Sequence, residues 1–129
     1  MINLTIFPGK GRGIVATKNI QKGTLIEAVP ASRISHSERN VIEKLDCYRY
    51  LFVNPTEYVY ESAKVSGYIV FGMTSLCNHS DSPNACVNWI EDDCGIWAHL
   101  EATEEIREGE EVTIFYTNID EYLDAASFS

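Results

Sequence analysis

The 129-residue chain has few basic residues, since ten lysines and arginines stand against nineteen aspartates and glutamates. Its formal net charge is −9 at pH 7. A domain that binds nucleic acid normally presents a basic face, so this charge argues against direct binding of DNA or RNA. An acidic surface instead attracts cationic partners over long distances, although acidic surfaces also serve solubility alone.

Long apolar runs are absent from the sequence as well. No stretch approaches the roughly 20 residues that a membrane-spanning helix needs, and residues 1–5 lack the basic region and apolar core of a secretory signal. The sequence therefore predicts an intracellular protein, cytoplasmic or nuclear, without a membrane segment. The length and the hydrophobic fraction of 45% predict one domain over residues 1–129 with a core of its own.

Cysteine is scarce, with four residues: Cys47, Cys77, Cys86 and Cys94. Free thiols are more common than disulfides in intracellular proteins. Structural zinc sites usually hold two pairs of ligands, each pair two to four residues apart. Here only Cys77 and His79 form such a pair, so the sequence predicts no metal site.

Short strand patterns alternate with turns along the chain. Strands are predicted at residues 3–7, 14–17, 24–29, 51–53, 58–60, 86–90, 95–102 and 111–116, with a buried apolar run at 68–71. The turn between the first two strands covers residues 8–13, and Pro30 is expected to end the third strand. Ser37 can cap a helix over residues 37–50. The pattern predicts a mainly β fold, a β-rich α+β arrangement.

One polar stretch separates two apolar ones. Residues 78–85 read Asn-His-Ser-Asp-Ser-Pro-Asn-Ala and follow the apolar run 71–77. Asn, Ser and Asp side chains can bond the local backbone and Pro83 fixes one φ angle, so we expect a rigid loop. Rigid loops often carry functional residues, although this composition also suits an ordinary polar connector.

This loop resembles the signature Asn-His-Ser-x-x-Pro-Asn-Ala of the SET-domain protein lysine methyltransferases. Two further stretches are similar to motifs of that family and occur in the same order. They are the glycine turn at 11–13 with the following Ile20-x-x-Gly23-x-x-Ile26-Glu27, and the segment 106–116, which ends in Phe115-Tyr116. The resemblance runs from about residue 3 to about residue 122. The sequence shows no match to the cysteine-rich flanks of many family members, so a bare SET core is expected.

The resemblance implies a SET fold of small curved sheets, with the C-terminal segment threaded under a loop as a pseudoknot. It also implies S-adenosylmethionine as the cofactor. The residues implied to bind this cofactor are Lys10, Gly11, Arg12, Gly13, Asn78 and His79. His79 is expected to act mainly through its backbone, while Pro83 and Asn84 brace the loop. A dinucleotide site is not expected, because no long helix follows the glycine turn.

By the same resemblance, Tyr116 faces the methyl transfer as the catalytic residue. The alternative is a tyrosine that packs at a strand end, which is common. Tyr50 and Tyr122 are implied as walls of an apolar channel for the substrate lysine. Burial in such a channel lowers the pKa of a lysine amine from its usual value of about 10.4 and so favours the neutral nucleophile.

The implied function is an S-adenosylmethionine-dependent protein-lysine N-methyltransferase that acts on a basic histone or histone-like tail. Two alternatives stay open: a catalytically inactive SET-fold interaction module, and a lysine methyltransferase of a non-histone protein. A nucleophilic pair of Cys77 and His79 is disfavoured, because the sequence offers neither an orienting third group nor an oxyanion loop. Compact family members can dimerise, so a homodimer is compatible with the resemblance.

Overall fold

A computed structural model describes residues 1–42, 44–45, 50–52 and 67–116. Within these ranges the chain forms eight strands and one α-helix. The strands are β1 (Ile2–Phe7), β2 (Gly11–Ala16), β3 (Leu25–Ile34), β4 (Gly67–Val70), β5 (Asn78–His79), β6 (Ala85–Asp92), β7 (Gly95–Ala102) and β8 (Glu111–Ile114). The helix is α1 (His36–Ile42), and a 3₁₀ turn spans Met73–Leu76. The predicted β-rich fold is confirmed.

The strands form two four-stranded sheets. The first sheet has the order β1-β2-β8-β5, and the second has the order β4-β3-β7-β6. In the first sheet β8 pairs antiparallel with β2 and parallel with β5, which places His79 opposite Ile114. Because β8 lies between β2 and β5, it brings the beginning of the chain next to the polar loop.

The β1–β2 hairpin has a shorter turn than predicted. Phe7 pairs with Gly11, so the turn covers only residues 8–10, and the Lys10 N–H donates to the Phe7 carbonyl at 3.0 Å. Gly9 and Gly11 have φ angles of +82° and +89°, which glycine adopts without steric cost. The predicted turn at 8–13 was therefore wrong at its end, since Gly13 already pairs with Thr5 inside the hairpin.

Pro30 does not end β3, contrary to the prediction. The strand pairs with β7 as far as Pro30 opposite Trp97, and it pairs with β4 from Ala31 onward. Pro30 thus lies where the strand changes partners, and its carbonyl still accepts the Phe71 N–H at 3.0 Å. A missing N–H is tolerated at the end of a ladder, which explains why the strand continues.

The predicted helix at 37–50 is shorter and begins earlier. The Ser35 N–H donates to a Glu38 carboxylate oxygen at 3.0 Å, and the Glu38 N–H donates to the Ser35 hydroxyl at 3.3 Å. This reciprocal capping box makes Ser35 the cap, not Ser37. The helix ends at Ile42. Residues 46–49 and the predicted strand at 58–60 lie outside the described residues.

A buried core joins the two sheets. Its members with essentially no exposed surface include Ile14, Leu100, Ile106 and Val112. Ile20 and Ile106 exchange two backbone hydrogen bonds, of 2.7 and 2.9 Å. These bonds join the segment between β2 and β3 to the segment between β7 and β8. The predicted strand at 95–102 is confirmed at both ends. Within the described residues, no helical segment combines the length and apolar character that crossing a bilayer requires.

Candidate active site

Three segments far apart in sequence converge on β8. The glycine turn, residues 11–13, forms the beginning of β2 on one side, and the Asn78-His79 pair forms β5 on the other. Tyr116 lies two residues beyond the end of β8. Asn78 lies opposite Thr113 on β8, and Ile14 of β2 lies opposite Val112. The fold thus gathers the three motifs that the sequence singled out.

Asn78 ties the polar loop to the glycine turn. Its side-chain Nδ2 donates to the Arg12 carbonyl at 3.0 Å and to Glu111 Oε2 at 2.7 Å. A Cβ atom added to Gly13 would lie 2.7 Å from both of these side-chain atoms, Asn78 Nδ2 and Glu111 Oε2. Gly13 is therefore needed for close packing, which the sequence did not distinguish from a need for unusual backbone angles.

Glu111 is a site residue that the sequence reasoning missed. Its carboxylate accepts from Asn78 through one oxygen, while the other lies 3.0 Å from Lys10 Nζ. The side chain is only 12% exposed, so both interactions are partly shielded from water. The available signal was its place in the third motif, where it begins the final predicted strand. Glu111 holds the turn and the loop at a fixed separation.

The described residues leave open space beside two glycines of the β1–β2 hairpin. A Cβ atom added to Gly9 or Gly11 would meet none of their atoms within 4 Å. The Arg12 guanidinium lies beside the turn and contacts the Tyr50 hydroxyl at 3.2 Å. Tyr50, predicted as a channel wall, is 38% exposed at this position. A ligand can approach the backbone of the turn closely, with a cationic side chain next to it.

His79 is a buried brace. Its Nδ1 accepts the Tyr116 backbone N–H at 2.9 Å, so the ring proton resides on Nε2, which donates to Asp81 Oδ1 at 2.9 Å. The ring is 2% exposed and packs against Phe115 with a centroid distance of 4.8 Å. Because both ring nitrogens bind protein groups, the imidazole has no role as a general base in this arrangement.

Hydrogen bonds hold Tyr116 through both its backbone and its side chain. Its backbone N–H bonds to His79, and its hydroxyl donates to the Cys77 carbonyl at 2.8 Å. Its half-buried ring lies 5.3 Å from the His79 ring, measured between centroids. The predicted strand at 111–116 was too long, because β8 ends at Ile114 and the Tyr116 N–H turns to a side chain instead of a neighbouring strand.

Asn84 fastens the far end of the polar loop to β8. Its Nδ2 donates to the Glu111 carbonyl at 2.8 Å, and its Oδ1 accepts the Thr113 N–H at 2.9 Å. The side chain thus bonds the backbone of β8 as a neighbouring strand would. The Ser80 N–H adds a bond to the Ile114 carbonyl at 2.9 Å. This arrangement agrees with the expected bracing role of Asn84.

The family model described as SET domain matches residues 11–117, which is most of the chain. The chain belongs to the SET-domain family. The resemblance drawn from the three motifs is thereby confirmed. A search of curated protein sequences finds no significant match.

Solved structures share the fold of this SET domain. A proposed histone methyltransferase of Plasmodium falciparum matches with a TM-score of 0.67 and 24% identity, over 89% of this chain and 91% of that one. The Neurospora SET-domain protein DIM-5, a histone lysine methyltransferase, gives 0.68 and 21%, over 89% of this chain and 51% of that one. A humanized mutant of Chaetomium thermophilum Polycomb Repressive Complex 2 matches with a TM-score of 0.67 and 19% identity, over 90% of this chain and 15% of that one.

The thiol of Cys77 does not form a nucleophilic pair in this SET domain. Burial raises its pKa far above the ordinary value, and the nearby charges of Glu27 and Glu111 raise it further. The His79 ring nitrogens bond to Asp81 and Tyr116 instead. A protonated, buried thiol without a base is a poor nucleophile, so the rival chemistry is disfavoured.

Thiol reactivity should follow burial. We expect Cys94, which is exposed, to react first with iodoacetamide at about pH 8, followed by half-buried Cys86, since burial and Glu101 raise its pKa. Cys77 should react only after unfolding. Time-resolved labelling with peptide mass spectrometry measures the order, and urea-unfolded protein serves as the control. Native labelling of Cys77 as fast as Cys94 would contradict the buried, protonated state.

Tyr122 and Cys47 lie outside the described residues. The pseudoknot stays a prediction. Across the described ranges, no group of three or more His, Cys, Asp and Glu side chains is placed to bind a metal ion. Of the predicted site residues, the fold brings together the glycine turn, Asn78, His79 and Tyr116.

Proposed function

We propose that this SET domain is an S-adenosylmethionine-dependent protein-lysine N-methyltransferase whose substrate is a lysine in a basic, histone-like peptide segment. One observation carries the proposal: the Tyr116 hydroxyl is fixed on the Cys77 carbonyl beside Asn78 and His79, which the glycine turn adjoins. Family membership adds support. Two of the solved structures that share the fold are named as histone methyltransferases, one of them a proposed one.

The residues of the site fit the proposed cofactor. S-adenosylmethionine supplies a methyl group on a positively charged sulfur. Its amino-acid part carries a carboxylate, and the cationic side chains of Lys10 and Arg12 flank Gly11, beside which the described residues leave open space. The residues that would hold the cofactor are Lys10, Gly11, Arg12, Gly13, Asn78 and His79. Asn78 and Glu111 keep these two segments in place, which preorganises the site.

Tyr116 would orient the substrate amine. Because the hydroxyl proton points to the Cys77 carbonyl, the phenolic oxygen can act toward an incoming amine only as an acceptor. An N–H of the neutral amine would donate to this oxygen, which directs the nitrogen lone pair elsewhere. Aligning that lone pair with the methyl group is a positioning task, and positioning can supply a large share of a rate enhancement.

The amine must lose its proton before it attacks. Burial and a nearby positive sulfur both lower the pKa of a lysine, whereas an adjacent carboxylate would raise it. Glu111 is a carboxylate built into the site, where Lys10 and Asn78 engage it. The Asp81 carboxylate accepts a hydrogen bond from His79. The net charge of −9 acts at longer range, where it attracts a basic segment. Transfer should therefore fall as ionic strength rises.

Transfer of labelled methyl tests the proposal. Tritiated S-adenosylmethionine is incubated with core histones and, separately, with a cell lysate, and the product is hydrolysed to identify the methylated amino acid. We expect labelled methyl-lysine, lost when Tyr116→Phe replaces the native protein. Cofactor binding by calorimetry without transfer to any protein would instead favour a non-catalytic interaction module. Label on a lysate protein but not on histones would favour a non-histone substrate.

A further inference from the structure

Glu27, on β3 of the second sheet, makes contacts that the proposed site has not used. Its carboxylate accepts the Thr74 N–H at 2.8 Å, the Thr74 hydroxyl at 2.6 Å and the Met73 N–H at 3.3 Å. Thr74 has no exposed surface. These bonds cap the 3₁₀ turn Met73–Leu76 from a strand 46 to 47 residues away in sequence. Charge-assisted bonds of this kind are stronger than neutral ones.

Gly72 lets the 3₁₀ turn approach β3. A Cβ atom added there would lie 2.5 Å from Val29 Cγ1 and 3.0 Å from Glu27 Oε1. Gly72 precedes the turn and provides no side-chain cap, so the Glu27 carboxylate takes over that function. The Ser75 hydroxyl closes the turn by donating to the Gly72 carbonyl at 2.8 Å. The turn is therefore seated against Glu27 at its first residues.

The same turn leads directly to the catalytic tyrosine. The Cys77 N–H donates to the Thr74 carbonyl at 3.2 Å, and the Cys77 carbonyl accepts the Tyr116 hydroxyl at 2.8 Å. A continuous hydrogen-bonded path thus runs from Glu27 through Thr74 and Cys77 to Tyr116. It crosses from the second sheet to the first, and it ends on the atom proposed to hold the substrate amine.

We propose that Glu27 is a positioning residue for methyl transfer: by seating the 3₁₀ turn through Thr74, it fixes the Cys77 carbonyl that aims the Tyr116 hydroxyl. The role of Tyr116 in transfer rests on the proposed function, whereas the structural link between Glu27 and the hydroxyl does not. Among the described residues, the hydrogen bonds of Glu27 reach Met73 and Thr74 and not the glycine turn or Asn78. Its effect should therefore reach catalysis and leave cofactor binding nearly unchanged.

Kinetics of Glu27→Gln test the proposal. We expect kcat to fall roughly ten- to a hundredfold, because a misplacement of about 1 Å at the reacting geometry can cost that much. The KM for S-adenosylmethionine should stay within about twofold, because the substitution removes no interaction that binds the cofactor equally in the ground state and the transition state. Glu101→Gln is the matched control, because Glu101 accepts a side-chain hydrogen bond from Asn88 on the neighbouring strand, away from the site. Parallel losses in kcat and cofactor affinity, or an equal loss in the control, would overturn the role.

A spectroscopic measurement decides the structural link even without turnover. 3-Fluorotyrosine placed at position 116 reports the hydroxyl environment through its ¹⁹F resonance. Glu27→Gln and Thr74→Val should shift this resonance. Thr74→Ser, which keeps the hydroxyl, should leave the resonance at its wild-type position. Thr74→Val also covers the case in which Glu27→Gln does not fold. An unshifted resonance in both variants refutes the positioning role. If both variants shift the resonance but the wild-type protein transfers no methyl group, only the proposed reaction is refuted.

Discussion

Replacing Tyr116 with phenylalanine is expected to lower kcat for methyl transfer by roughly a hundredfold or more, the loss typical of removing one preorganised hydrogen-bonding group at a reacting centre. The substitution removes the oxygen proposed to hold the amine and leaves the ring packed beside His79. Cofactor affinity should change little, because the backbone bond from residue 116 to His79 remains. Steady-state labelling measures kcat, and calorimetry measures cofactor affinity.

Tyr68→Phe provides the control for this substitution. Tyr68 is a buried tyrosine of β4 that stacks on Trp89 with a centroid distance of 4.7 Å, in the second sheet. Tyr68→Phe removes the same hydroxyl group from the second sheet, whereas Tyr116 follows β8 of the first sheet. We expect its kcat to stay within about twofold of the native value. Full activity of Tyr116→Phe, or equal losses in both variants, would remove Tyr116 from the reaction.

Replacing Asn84 with alanine should destabilise the fold by about 2–4 kcal/mol in the free energy of unfolding. Asn84 is 8% exposed and bonds both a carbonyl and an N–H of β8. Alanine would leave the buried Thr113 N–H without its acceptor, and an unmatched buried group costs more than the bond itself contributed. Urea unfolding followed by far-UV circular dichroism measures the change.

Asn88→Ala is the matched control for stability. Asn88 is exposed on β6 and makes a single side-chain bond to Glu101 at 2.9 Å. Its replacement should cost no more than about 0.5 kcal/mol, as is usual for surface positions. If the two variants had the same unfolding midpoint, Asn84 would not fasten the loop to β8. Loss of cofactor affinity in Asn84→Ala alone would further link loop closure to the site.

The family resemblance singled out Asn78, His79 and Tyr116, and the fold brings these three residues together. The alternation of β7 is clear enough for the strand to be placed residue for residue. Pro30 was misjudged because its tolerance depends on which neighbour each half of β3 pairs with. That pairing is a property of the assembled sheet, which local pattern does not encode.

Side-chain contacts across the fold were beyond sequence reasoning for the same physical reason. Glu27 stood in a recognised motif, but its bond to Thr74 joins residues 47 positions apart. Glu111 was assigned only to a strand, whereas its carboxylate joins Lys10 to Asn78. Ser35 was missed as a cap because the helix begins one residue before the position expected. In each case tertiary geometry selects one partner among several that the sequence allows.

The central place of β8 in the first sheet has a consequence for biosynthesis. Ile14, near the beginning of the chain, pairs with Val112, so this contact closes a very long loop and forms late in folding. A ribosome-bound chain that has exposed only β1 to β7 carries β2 with one edge unpaired, and such edges invite aggregation. Synthesis of β8 therefore completes the first sheet, because until β8 emerges neither β2 nor β5 has the strand that joins them.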